Sequence, residues 1–115
     1  MYIVLVVDDD PNVLEVLAGI LREPGYTVLT ARDGYEAIGL LADRHVDLMI
    51  TDMRMPGLDG AELGVQAKVM RPYIHIIYIT GYAEFAGKVG NGRLIEKPIR
   101  SADLIQVVKQ EMTGA

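Results

Sequence analysis

The sequence predicts an α/β domain built on a five-stranded parallel sheet with helices packed on both faces. Three observations lead there. Apolar, β-branched runs of strand length alternate along the chain with segments whose apolar residues recur at helical spacing. The better-formed runs are apolar throughout, as in strands buried on both faces of a parallel sheet. Acidic, hydroxyl and basic residues follow the runs at their C-terminal ends, and parallel strands gather those ends on one rim.

Each element has its own justification. Residues 2–7 are a continuous apolar run and form the first strand. Asp10 then offers an N-cap and Pro11 suits the first helical position. Val13, Leu14, Leu17, Ile20 and Leu21 follow at helical spacing, and Gly25 supplies the stop. Residues 26–31 form a second strand, with Thr27 and Thr30 among its apolar residues. Asp33 and Glu36 have the spacing of a capping box and open a helix that buries Ala37, Leu40 and Leu41. Residues 46–51 are the third strand. A loop over 53–58, containing Pro56-Gly57, leads into a helix from about residue 59 to residue 70. Residues 74–79 are the fourth strand. Residues 83–91 are expected to hold a helix that Gly87 and Gly90 make short or irregular. Residues 93–96 are a brief fifth strand, and Ser101 caps a last helix whose apolar stripe is Leu104, Ile105, Val108 and Met112.

Right-handed crossovers leave few ways to wind such a (βα)5 unit. One common doubly wound order is 2-1-3-4-5, the flavodoxin-like arrangement, whose ligand crevice lies between strands 1 and 3. That order demands functional residues at the ends of strands 1, 3, 4 and 5, and none at edge strand 2.

Composition sets the outer bounds. At 115 residues, residues 1–115 form one domain. Half of the residues are apolar and 23% are charged, as in ordinary globular chains. A net charge of −5 argues against direct nucleic-acid binding, which needs a basic face. The chain has no cysteine, which excludes disulfides and thiolate metal sites. The apolar run at residues 3–7 is far short of the ~20 residues of a membrane span. It also lacks the flanks of a signal peptide. These features read as a cytoplasmic domain with no membrane association.

The strand ends meet the demand of the predicted order. Strand 1 ends in Asp8-Asp9-Asp10, strand 3 in Asp52, strand 4 in Thr80 and strand 5 just before Lys97, whereas strand 2 ends in Ala31-Arg32. Asp8, Asp9 and Asp52 then crowd three carboxylates together, and like charges so close resist joint ionisation unless a cation sits among them. Mg²⁺ suits such oxygen donors together with water and a phosphate oxygen. A carboxylate held ionised beside a cation can attack phosphorus and form an acyl phosphate. Lys97 can reach a phosphoryl oxygen as a point charge, and the Thr80 hydroxyl can donate a hydrogen bond to one. Taken singly, each residue also has a plainer reading. Asp8 and Asp9 read equally as loop carboxylates, Asp10 as a helix cap, Asp52 as a turn former, and Thr80 and Lys97 as a strand residue and a solvated charge. The case rests on their joint occurrence. His45 and His75 fall outside the cluster and read as structural or exposed, and Met53 and Met55 as loop packing.

The segments VVDDDP, TDMRMPGLDG, YITGYA and IEKP resemble, in order and over nearly the whole chain, the four signature segments of bacterial two-component response-regulator receiver domains, the CheY-like superfamily. The resemblance implies that Asp52 is the phosphoacceptor and that Asp8 and Asp9 hold Mg²⁺ beside it, with the backbone carbonyl of Arg54 completing the protein ligands. It implies that Thr80 and Lys97 sense and neutralise the phosphoryl group, and that the Lys97-Pro98 peptide is cis. It also implies a sensor histidine kinase or histidine phosphotransfer protein as donor and a downstream protein target. The chain would then be no enzyme beyond its own autophosphorylation and autodephosphorylation.

The sequence departs from the family pattern in four places. The stretch between Thr80 and Lys97 is short by roughly one helical turn. Leu94 stands where many receivers carry a Tyr or Phe that swings inward on activation. Arg54 and Tyr82, two residues beyond Asp52 and Thr80, should overhang the site, and Gly81 follows the threonine. Two other readings compete. One is a degenerate receiver that acts only as a protein-binding module. The other is a small haloacid-dehalogenase-type phosphatase with Asp8 as nucleophile, although Asn12 stands where that motif wants Thr or Val.

Overall fold

The computed structural model describes residues 2–81 and 91–113. Among these, the chain runs β1 (Ile3–Val7), α1 (Pro11–Arg22), β2 (Thr27–Ala31), α2 (Gly34–Asp43), β3 (Leu48–Asp52), α3 (Gly60–Met70), β4 (His75–Thr80), β5 (Arg93–Glu96) and α4 (Ser101–Thr113). The helix expected over 83–91 lies, all but its last residue, outside the described residues, and so does Tyr82. The sheet is parallel throughout, in the order β2-β1-β3-β4-β5.

Alternation along the strands feeds two cores, one on each face of the sheet. Leu5, Val7, Met49, Ile76 and Tyr78 point to one side, where Ala37 and Leu41 of α2 and Leu63 and Ala67 of α3 cover them. Val4, Val6, Leu48, Ile50, Ile77 and Ile79 point to the other, under Leu14, Leu17 and Leu21 of α1 and Leu104 and Val108 of α4. Full burial of such side chains stabilises by about 1.5–3 kcal/mol each, which makes the three central strands the rigid part of the molecule.

Helix ends follow the local chemistry. The Asp10 side chain accepts the Asn12 N–H, and Pro11 opens α1. Gly25 (φ 103°) closes it, with the Gly25 N–H donating to Arg22 and the Tyr26 N–H to Leu21. Asp33 caps α2 by accepting the Glu36 N–H, but the reciprocal capping box is formed at Asp59 and Glu62 at the start of α3. Ser101 is the first residue of α4 and not its cap, because the Leu104 N–H closes the first turn on the Arg100 carbonyl. Strands β3 and β4 run one residue further than expected and take in Asp52 and Thr80, because β4 and β5 supply their pairing partners Ile79 and Glu96.

The rim opposite the predicted site is stitched by Asp47. Its carboxylate accepts the Ile3 N–H at 2.8 Å and pairs with the His45 ring at 2.7 Å. Burial disfavours this carboxylate's charge, but the Ile3 N–H and His45 outweigh that and bring its pKa below the ordinary aspartate value. A carboxyl with a depressed folded pKa contributes stability above its unfolded pKa and loses it as pH falls through the folded value. Asp47→Asn is therefore expected to lower stability by about 1–2 kcal/mol near pH 7, and the difference should vanish under acid. Denaturant unfolding of both chains across that pH range checks this; a deficit that persists in acid would refute the electrostatic account.

Candidate functional site

The register of the sheet assembles the site. Val7 lies opposite Thr51, and Asp52 opposite Ile79, so Asp8 and Asp52 project level at the ends of adjacent central strands. Thr80 is one residue further along and pairs with Glu96, which puts Lys97 one step beyond that. The ends are thus staggered, and the long lysine stem reaches back across the stagger. Its Nζ stands 3.8 Å from Asp52 Oδ1. Edge strand β2 ends at Ala31, whose carbonyl only accepts the Asp8 N–H.

The three consecutive aspartates divide their work. Asp8 is buried, and its Oδ1 accepts the Asp10 N–H at 2.9 Å, which fixes the carboxylate's orientation. Asp9 is exposed. Asp10 caps α1, as its place before Pro11 suggested. Asp8, Asp9 and Asp52 each present a carboxylate oxygen such that all three atoms lie within 4.8 Å of one another.

Electrostatics shows what this costs. Burial pushes the Asp8 carboxyl up, and the Asp52 and Asp9 charges push it further, against the Asp10 N–H and Lys97. Burial also raises Asp52, with Asp9 adding to it; Lys97 and the backbone N–H groups of Arg54 and Met53 act the other way. Two carboxyls that each resist ionisation, Asp8 buried and Asp52 partly buried, joined by a third, form a hard-oxygen donor set short of positive charge. That is the chemistry a divalent cation such as Mg²⁺ satisfies.

Backbone packing holds the end of β3 in place. The Met53 N–H donates to Ile79, the Gly60 N–H donates to Met53, and the Thr51 hydroxyl donates to the Asp52 carbonyl. Met53 and Met55 turn their side chains into the core, which bears out the loop-packing reading. Thr80 is buried at the end of β4, and its carbonyl accepts the Lys97 N–H at 2.7 Å. The Lys97-Pro98 peptide is cis, as expected. Arg54 is exposed on the loop after Asp52. His45 pairs with Asp47 and His75 with Glu111, both away from the cluster.

Sequence reasoning missed Gly60. A Cβ there would collide with the Asp52 carbonyl oxygen and lie 2.8 Å from Met53 Cα, so the first turn of α3 rests directly on the backbone at the end of β3. The available signal was a glycine at the first position of a capped helix, where it lowers helix propensity and needs a packing reason.

Comparison with known proteins shows the family and the fold. A family model described as the response regulator receiver domain matches residues 4–109. The transcriptional regulatory protein GlrR of Escherichia coli K12 is 33% identical over 109 residues, covering 90% of this chain and 24% of that one. The positive alginate biosynthesis regulatory protein of Pseudomonas aeruginosa is 35% identical over 113 residues, covering 93% and 46% respectively. This chain thus spans less than half the length of these curated relatives. Among solved structures, a CheY-like receiver domain protein from Methanospirillum hungatei superposes with a TM-score of 0.92 at 28% identity, covering 99% of this chain and 95% of that one. The response regulator TrrA of Thermotoga maritima, in complex with Mg²⁺ and BeF, superposes with a TM-score of 0.88 at 31% identity, covering 96% and 99%.

Gly60→Ala is expected to destabilise the fold by about 1–3 kcal/mol, since either α3 or the Asp52 backbone must move. Denaturant unfolding and the amide shifts of Asp52 and Met53 check it; unchanged stability with unchanged shifts would mean that α3 does not bear on the end of β3.

Proposed function

Since the chain belongs to the response regulator receiver family, we propose that Asp52 accepts a phosphoryl group from the phosphohistidine of a sensor histidine kinase or histidine phosphotransfer protein. A carboxylate oxygen of Asp52 forms the new P–O bond as the P–N bond to the donor imidazole breaks, and the electron pair leaves with the nitrogen, which takes up a proton. The observation that carries this reading is the group of three carboxylates within 4.8 Å with the Lys97 ammonium beside Asp52.

Asp8, Asp9 and Asp52, with the Arg54 backbone carbonyl, would hold Mg²⁺, which when bound supplies the positive charge that the acidic set and the incoming phosphoryl oxygens lack. The rest is the work of the chain's own groups. Lys97 and the N–H groups of Arg54 and Met53 favour the ionised, nucleophilic form of Asp52 against its burial. Lys97 neutralises a phosphoryl oxygen, and the Thr80 hydroxyl, at the buried end of β4, donates to another.

Phosphorylation then biases a pre-existing equilibrium toward the state in which Thr80 and Lys97 contact the phosphoryl group, and a protein-binding surface follows. The chain is a phosphoacceptor and not an enzyme acting on a separate substrate. It works in the cytoplasm on a protein partner. No helix among the described residues is long and apolar enough to cross a membrane, and the net charge of −5 disfavours direct contact with nucleic acid. Family membership removes the ground for Asp8 as the nucleophile of a phosphatase.

Incubation with acetyl phosphate and Mg²⁺ should add one phosphoryl group by intact-protein mass spectrometry, and none to Asp52→Asn or without metal. A gain that survives in Asp52→Asn would move the chemistry to another residue. Mg²⁺ alone, at about 100 times its Kd, should stabilise the wild-type fold by about 2.7 kcal/mol, and Asp9→Asn much less. Equal stabilisation of the two in thermal unfolding would remove Asp9 from the metal set.

A further inference from the structure

Tyr78, in the middle of β4, is fully buried and is the largest such side chain. Its hydroxyl donates to Asn91 Oδ1 at 2.6 Å, a contact between β4 and the residue two before β5 begins. Burial raises its pKa, so the phenol stays protonated and remains the donor. The slot for the ring is cut by two glycines that are far apart in sequence. A Cβ on Gly64 of α3 would overlap the Tyr78 hydroxyl oxygen, and one on Gly92 would sit 2.8 Å from ring atom Cε2 and 2.5 Å from the Ile76 carbonyl oxygen. One side chain thus meets α3, its own strand and the entry to β5 at the same point.

Its position on the strand links this point to the rim. Tyr78 and Thr80 are two residues apart and point to the same face of the sheet. Tyr78 lies opposite Leu94, and Thr80 opposite Glu96. The strand order places Asp52 on the β3 side of β4 and Asn91 on the β5 side. A pull on the end of β4 toward Asp52 thus acts on the same strand that carries the Tyr78 hydroxyl, on the side away from Asn91.

We propose that the Tyr78–Asn91 hydrogen bond is a latch that holds the start of β5 against β4 and α3, and that phosphorylation of Asp52 opens it by drawing Thr80 toward β3. This rests on the reading of Asp52 as phosphoacceptor. A hydrogen bond suits the role because it breaks over a displacement of less than an ångström, whereas the packed strands on either side move as rigid bodies. Leu94, the neighbour across β5, is apolar and packs against the same core, so it offers the hydroxyl no alternative partner.

The test is amide hydrogen exchange of the full chain, with and without Mg²⁺ and beryllofluoride as a phosphoryl mimic, in wild type, Tyr78→Phe and Asn91→Ala. Tyr78→Phe keeps the ring in its slot, and thermal unfolding of each variant verifies that it folds. Without the mimic, exchange over residues 92–96 should quicken roughly fivefold in either variant, the equivalent of one lost neutral hydrogen bond, and no further in the double variant. The mimic should quicken the same amides in wild type and add little in the variants. Unchanged exchange in Tyr78→Phe, or a response to the mimic equal to that of wild type, overturns the latch. The phosphorylation assay separates the two claims. If wild type and Tyr78→Phe both gain a phosphoryl group and respond alike in exchange, only the latch fails. If neither gains one, the reading of Asp52 fails and the coupling falls with it.

Discussion

Three carboxylate oxygens lie within 4.8 Å of one another and repel each other, and the two on Asp8 and Asp52, which are withdrawn from solvent, resist ionisation. The rest of the molecule is organised around holding them there. The parallel register brings the ends of β1 and β3 level, two apolar cores clamp the central strands, and the Asp10 N–H fixes the Asp8 carboxylate. Gly60 lets the first turn of α3 press on the backbone at Asp52 itself. Such an arrangement is costly in an isolated fold and makes sense where positive charge arrives from outside. Within the chain, the Lys97 ammonium offsets part of it, and at 3.8 Å from Asp52 that contact is loose.

The looseness has a structural origin. Asp52, Thr80 and Lys97 stand one residue further out in turn, so Lys97 reaches Asp52 only by reaching back along the strand direction. A flexible point charge can follow an oxygen that changes position when a group is added to the carboxylate. A rigid, bidentate arginine would be less able to do so. The stagger thus keeps a cation within reach of Asp52 without a tight ion pair.

On the α3 side of the sheet the same strand that carries Thr80 carries Tyr78, and two glycines shape the space for it. Large aromatic side chains in cores normally contribute area; here the polar tip also finds a partner at the far edge of the sheet. One strand, β4, therefore carries both a residue of the rim and a large side chain of the core, with β3 on one side and β5 on the other.

Much of this was legible in the residues. Strand and helix periodicity, the Asp10–Pro11 cap and the rim residues Asp8, Asp9, Asp52, Thr80 and Lys97 could be read directly, because hydrophobic period and capping chemistry are local, and because a parallel sheet turns the ends of apolar runs into neighbours. Strand ends were misjudged by a residue at Asp52 and Thr80, since pairing across the sheet decides where a strand stops. The capping box expected at Asp33 formed at Asp59, because the reach of a glutamate back to the cap depends on the incoming chain direction. By itself the sequence determined the alternation of strands and helices and the roster of polar groups at the strand ends, which depend on patterns spanning a few residues, and it narrowed the winding to a few orders. Only the tertiary structure decided the stagger that sets the reach of Lys97, the contact of Gly60 with the end of β3 and the Tyr78 slot between Gly64 and Gly92, because each is a distance between segments that no local pattern encodes.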